Sequence, residues 1–507
     1  MQLSKPYGLR LAGLAVSVGI VCISLWPSLA VWASGSGKAT VVNLQPFADP
    51  SGYVATYNSS GSIDTSPNNL FFASLGTNGR SCATCHVVSG AMGLSAAHVR
   101  AVFQEHGLSD PLFAMVDGAN CPNDPPSLAG SHSLLLHNGL IRIALTLPSS
   151  MQFTIHAVHD PYGCAIVTDP STGAQTISVY RRPLPATNLN FLSAVMFDGR
   201  ETVAPLNNSS TFQANLVTDL THQALDATTG HAQATTPPTP AQLSAIVNFE
   251  LGLHSAQIWD NSAGWLNAAG AQGGPLALSN QNYYPSINDV LGGDSTGAAF
   301  NAGVFTIFSP WLNLSSGDDD FYSGLQSAAA REAIAAGEKI FDTFPLTITA
   351  VRGLNDNPAV GATFTGTCSS CHDAPNVGDH SLPLPLDIGT SHSGDYETDP
   401  VIAGALSELS VPDLPVYEID GCPDPFNPGQ TAPIYTSDPG KALLTGNCAD
   451  VNRIKGPILR GLAARAPYFH NGAAATLEQV VDFYNQRFQM NLTDVEKREL
   501  VAFLKSL

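Results

Sequence analysis

The chain has 507 residues, 44% of them hydrophobic and only 12% charged, enough to bury more than one apolar core. Its formal charge of −20 argues against nucleic acid and anionic lipid surfaces as partners, while permitting a basic soluble protein.

In chain order, Lys5 and Arg10 precede an apolar run from Leu11 to Leu25, then Pro27 and the small residues of "SLAVWASGSG". This predicts a secretory signal over residues 1–33, cleaved after Ala33, with the remainder exported. Left uncleaved, the run is nearly long enough to anchor in a bilayer, and only then is a membrane a partner. Cys22 leaves with the signal. Four of the other eight cysteines lie in CxxCH motifs, which leaves Cys121, Cys164, Cys422 and Cys448, an even number in an oxidising compartment. Three pairings are open, and the economical one joins Cys121 to Cys164 and Cys422 to Cys448.

"RSCATCHVVSG" carries Cys82, Cys85 and His86, and "GTCSSCHDAPN" carries Cys368, Cys371 and His372. Two thiols three residues apart can each add to one haem vinyl group, and the adjacent imidazole is then held under the macrocycle as an iron ligand. A zinc site gives no reason for His after both CxxC pairs, and a thioredoxin-like CxxC wants a βαβ context that is missing. Two covalently bound haem c groups are therefore expected.

The segments around the motifs read as helices. "LSAAHVRAVFQEHG" follows the first motif, and "PAQLSAIVNFELGLHSAQIW" reads as a later helix of the same half. Ala-rich "SAAAREAIAAGEKIFDTF" precedes the second motif. In "YFHNGAAATLEQVVDFY", Thr476 and Gln479 form a capping-box start, and Leu477, Val480, Val481 and Tyr484 make one apolar stripe. "TDVEKRELVAFLKSL" closes the chain behind a Thr493–Glu496 capping box. "IRIALTLP", "QFTIHAVH" and "TISVYRR" alternate apolar and polar residues, predicting a small β insert near residues 140–182. Residues 374 to 450, rich in Pro, Asp and Gly, predict a long loop region. The expected fold is mainly α, with two cytochrome c-like haem domains. The first covers residues 34–260 with the β insert, residues 261–325 connect, and residues 326–507 form the second with the long loop insertion.

With both CxxCH motifs, "FLSAVMFDGRE" between them and "KGPILRGLAARAPYFHNGAAATLEQVVDFYN" near the end, the chain resembles the bacterial di-haem cytochrome c peroxidases and their MauG-like relatives. The resemblance covers most of residues 65 to 505, excepting the β insert and the long loop. It implies a periplasmic oxidoreductase that reduces hydrogen peroxide at the N-terminal haem. Electrons would come from a small donor protein, such as a cytochrome c or cupredoxin, through the C-terminal haem. It also implies a calcium ion between the domains, with Pro467 at a position near that ion. Where the family commonly has a tryptophan between the haems, this chain has Phe197. Arg200, in the same motif, can fork onto a carboxylate, either a haem propionate or Asp198. Fourteen residues after His470, where peroxidases of this family carry a methionine ligand and MauG-like members a tyrosine, stands Tyr484. The buried phenol is thus expected to face the iron held by His372, with Met490 as the spare thioether. His98 and His106 are candidate sixth ligands at the first haem. Gln223 and His231 are the candidate distal residues, because O–O cleavage needs an open site and a proton carrier. The rival functions are a MauG-like or rubber-oxygenase-like oxidase of an organic or protein substrate, and a non-catalytic electron-transfer cytochrome.

Overall fold

The computed structural model describes residues 40–202, 212–314 and 325–507, and the expected signal over residues 1–33 lies outside them. Among the described residues, no helix is long and apolar enough to cross a membrane.

The helices start where their caps predict. Helix α1 (Ala96–His106) begins at Ser95, whose hydroxyl accepts the His98 amide at 3.1 Å, and ends at Gly107. Helix α2 (Phe212–Gly230) leads to α3 (Pro240–Leu251), which opens on a Thr239–Gln242 capping box with Pro240 in its first turn. The helical reading that continued to Trp259 is corrected. After Gly252 the chain becomes a strand, Leu253–Asp260, paired antiparallel with Gly52–Asn58. That partner lies some two hundred residues away, so tertiary pairing overrides the local pattern. In the C-terminal half, α4 (Leu325–Thr343), α5 (Leu477–Arg487) and α6 (Asp494–Lys505) follow the expected segments. Helices α4 and α6 cross closely at Gly337, where a Cβ would lie 2.0 Å from the Glu499 carbonyl oxygen.

The fold is mixed α/β rather than mainly α, because the two insertions build sheets together. The expected insert forms β1 (Ile141–Thr146), β2 (Thr154–His159) and β3 (Gln175–Arg181). Strand β3 pairs with β1 on one side and with the short strand Ile166–Thr168 on the other. Strand β2 instead pairs antiparallel with β4 (Val416–Asp420) from the region read as a long loop, setting Ile155 opposite Ile419. Strand β5 (Ile434–Thr436) completes that second sheet. Ile143, Ile177 and Val179 share one core with Tyr417 and Leu443, so each insertion buries the other's apolar face. Arg181 fastens the join: its guanidinium is paired with Asp198 and, at 2.6 Å, with Asp438. Cys121 and Cys164 lie at disulfide distance, as do Cys422 and Cys448.

Two larger cores flank this β module. One gathers Phe71, Met92, Leu220, Leu243 and Ile246 near the first CxxCH motif. The other gathers Phe305, Phe308, Trp311, Phe341 and Phe503 near the second. Phe305, Phe308 and Trp311 come from the segment read as a connection, and they pack as core residues.

Candidate functional site

The two CxxCH motifs fold alike. Each opens as a single 3-10 turn, Cys82–Thr84 and Cys368–Ser370, and the histidine amide closes onto the first cysteine carbonyl at 3.0 Å in both. The Ser81 and Thr367 amides donate to the hydroxyls of Thr84 (3.1 Å) and Ser370 (2.9 Å). An aromatic ring sits by each imidazole: Phe71 by His86 at 6.1 Å and Phe341 by His372 at 5.8 Å.

The two imidazoles are held alike. His86 Nδ1 faces the Met92 carbonyl at 3.3 Å, and His372 Nδ1 faces the Gly378 carbonyl at 3.0 Å. A carbonyl can only accept, so Nδ1 carries the proton and Nε2 keeps a lone pair that could bind a metal. Burial pushes both imidazoles down to about 4, which keeps them neutral. All four motif cysteines are free of disulfides. Burial pushes the Cys82, Cys368 and Cys371 thiols up to about 12 and Cys85 to about 11. These are the donors that covalent attachment of haem c requires, in the required spacing.

The first motif opens on a cleft lined by Cys82, Cys85 and His86. Helix α2 gives the cleft one face: Leu220, Gln223, Ala224, Ala227 and Thr228 repeat at helical spacing, and His231 follows just past its end. Both predicted distal residues, Gln223 and His231, therefore reach the same cavity as His86.

Among the other polar residues that line it, the sequence reading missed Arg80, Asp117 and Glu250. His231 Nδ1 is hydrogen-bonded to Asp117, which in turn is paired with Arg80. Arg80 is fixed by the Pro111 and Leu112 carbonyls, both at 2.7 Å. Although burial opposes it, His231 and Arg80 hold the Asp117 carboxyl below the usual range. Glu250, on α3, is the reverse case. Burial pushes its carboxyl up to about 8, and among the described residues Oε2 has no hydrogen-bond partner. Arg80 stands two residues before Cys82 and could have been suspected; Asp117 and Glu250 carry no local signal.

His98 and His106 do not line the cleft. His98 sits in the first turn of α1, and His106 ends that helix, exposed, with Nε2 3.6 Å from Glu105. Both follow the first motif closely in sequence, yet neither side chain is part of the cleft lining. Arg200 does not line the cleft either; it pairs with Asp198 at 3.2 Å and Glu201 at 3.6 Å.

At the second motif, Tyr484 lies on α5 among Phe469, Phe483 and Phe488. Burial pushes its phenol up, and the Cys371 and Cys368 thiols of the second motif add to that effect. Among the described residues no hydrogen-bond partner meets that hydroxyl. Met490 is buried in the apolar core instead. His470 is buried beside Phe197, with its Nε2 3.3 Å from the Ser391 hydroxyl and 3.7 Å from Asp438.

No family model matches the chain. Cytochrome-c peroxidase IdrP2 of Denitromonas iodatirespirans is 33% identical over 152 residues, 29% of this chain and 37% of that protein. Cytochrome-c peroxidase IdrP1 of a Pseudomonas species is 28% identical over 162 residues, 29% of this chain and 38% of its own. Cytochrome c551 peroxidase of Nitrosomonas europaea is 45% identical over 83 residues, 16% of this chain and 25% of its own. The chain thus spans well under half the length of these curated relatives. Among solved structures, a MauG-like protein associated with microbial copper homeostasis aligns over 68% of this chain and 79% of its own, at 15% identity and a TM-score of 0.27. Over the matched stretches the chain is similar to the bacterial cytochrome-c peroxidases, as its motifs lead one to expect.

Proposed function

We propose that the chain is an exported, periplasmic di-haem c-type oxidoreductase that reduces hydrogen peroxide with electrons from a small donor protein. The observation that carries this reading is the matched pair of CxxCH sites. In both, free thiols stand beside a neutral imidazole whose Nδ1 is committed to a backbone carbonyl. The first site opens on a cleft lined by proton-carrying side chains.

Cys82, Cys85 and His86 would hold the first haem, and Cys368, Cys371, His372 and Tyr484 the second. Bound haem supplies an iron that can take up peroxide at the first site and pass electrons at the second. The chain's own work at the first site is to handle protons, since reducing one peroxide to two waters consumes two protons and two electrons. Asp117 holds the His231 proton at Nδ1, which leaves Nε2 as the atom that accepts or returns a proton within the cleft. Gln223 offers an amide on the same face, and Glu250 stays a neutral acid to about pH 8. The apolar remainder of the lining, from Leu189 and Leu192 to Ile458, keeps bulk water out.

One observation favours a second reading, a MauG-like oxidase of an organic or protein substrate. Tyr484 stands on α5 among Phe469, Phe483 and Phe488, and the second-motif thiols of Cys371 and Cys368 act on its phenol; a phenolate there would be a hard anionic ligand. The deciding experiment combines the coordination state of each haem, oxidised and half-reduced, with peroxide turnover on a reduced cytochrome c. The peroxidase reading expects two haems that survive acid–acetone extraction, an open first site and donor-dependent turnover. Extractable haem, or closed sites in every redox state, would sink it. Open sites without donor turnover would select the oxidase.

A further inference from the structure

Arg182 is a buried cation with an unusual set of partners. Nη1 donates to the carbonyls of Asn138 at 3.0 Å and Gly139 at 3.1 Å. Nη2 donates to the carbonyls of Leu94 and, at 2.8 Å, Arg465. All four N–H groups of the two terminal nitrogens thus end on backbone oxygens. Among the described residues no carboxylate is paired with it. Its neighbour Arg465 is alike, donating to the carbonyls of Gly461 at 3.0 Å, Ile458 at 3.3 Å and Arg460. Burying a charge without a counter-charge is costly unless dipoles replace the lost water, and here four converging carbonyl dipoles do so.

The geometry is built for this cation. Gly139 has a φ of +60°, and a Cβ there would lie 1.9 Å from Arg182 Nη1. The four carbonyls come from three stretches far apart in sequence: the entry to α1, residues 138–139, and the segment just before Pro467. The Arg182 amide also donates to the His470 carbonyl at 2.6 Å, and the Ala96 amide to the Ala466 carbonyl at 3.2 Å. One side chain therefore ties the first-motif half to the segment that leads into α5.

Calcium is implied near Pro467 by the family resemblance, but these residues do not fit it. Calcium takes six to eight oxygen ligands at roughly 2.3–2.6 Å, usually with carboxylates among them. Here the converging oxygens already accept N–H donors, and two guanidinium groups would repel a dication. A planar fork of N–H donors is what a ring of carbonyls can satisfy without a metal.

We infer that the Arg182 guanidinium is a built-in cation that fills the carbonyl cradle joining the two halves, and that the chain binds no calcium there. This goes beyond the peroxidase reading and does not depend on it.

The test uses the full haem-loaded chain. After dialysis against a chelator, metal analysis should find no stoichiometric calcium. The thermal midpoint should be the same in chelator and in millimolar calcium chloride. Arg182→Ala frees the four carbonyls; its midpoint should fall, and calcium should raise it again while magnesium should not, because magnesium gives up its waters reluctantly. One tightly held calcium per wild-type chain, with a lower midpoint on its removal, would overturn the assignment. So would a folded Arg182→Ala protein whose midpoint ignores calcium. Should that variant not fold, the wild-type calcium content and midpoint alone decide.

Discussion

The Phe197 ring meets the His470 ring edge-on, with centroids 6.0 Å apart. Two sequence motifs more than two hundred and fifty residues apart, "FLSAVMFDGRE" and "YFHNG", thus touch through their aromatic members. The Lys455 amide donates to the Phe197 carbonyl at 2.7 Å and fixes the same crossing, and the Lys455 side chain lines the first cleft. A phenyl ring is far harder to oxidise than an indole, so residue 197 is expected to serve as packing rather than as an electron stop. Phe197→Leu should cost about 1–2 kcal/mol of stability. It should leave electron exchange between the two sites unchanged in stopped-flow traces. A slower exchange in a variant of unchanged fold would make the ring a carrier.

His470 also makes stability depend on pH. Burial pulls its imidazole down to about 4, with Asp438 opposing, from an ordinary value of 6.5. Between those values the unfolded chain binds a proton that the folded chain does not, so the contribution is full above pH 6.5 and is lost as pH falls toward 4. The loss amounts to about 3 kcal/mol. In urea unfolding followed from pH 7 to pH 4.5, His470→Gln should remove about one proton's worth of that slope. An identical slope in the variant assigns the acid sensitivity to other groups.

Asp117 touches His231, not the reacting atoms, so it is a positioning residue. Asp117→Asn keeps the size but removes the charge that holds the His231 proton at Nδ1. The peroxide reaction should slow by about tenfold to a hundredfold while haem content stays whole. The pH profile of that step should shift as well, which a merely structural role would not produce. His231→Gln should slow the reaction similarly, and the double variant no further.

What the sequence made legible, and what it hid, divides by range. The CxxCH motifs and their helical neighbours follow from contacts within a few turns of chain. The segments of the insert at residues 140–182 showed in their alternation, yet the strands within residues 374–450 and the pairing of β2 with β4 did not. Alternation tells a strand which face to bury and says nothing about a partner some two hundred and sixty residues away. That blindness made residues 374–450 read as loop and the fold as mainly α. The same limit hid Asp117 and Glu250, whose roles arise only where separate elements converge. It favoured His98 and His106, which are close to the motif in sequence but absent from the cleft lining.

Tyr484 offers the clearest test of the second site. Its stripe along α5 puts the phenol among Phe469, Phe483 and Phe488, and its hydroxyl meets no partner among the described residues. Phenolate is a hard anionic donor that favours ferric iron, and iron binding would offset the burial that pushes the phenol up. The second haem should therefore have a much lower potential than a His/Met pair and show no methionine–iron charge-transfer band. Tyr484→Met should raise that potential strongly, and Tyr484→Phe should open a coordination position that cyanide fills. If Tyr484→Phe leaves spectrum and potential unchanged, or the wild-type spectrum shows methionine ligation, the phenol is a core side chain and the tyrosine-ligated reading fails.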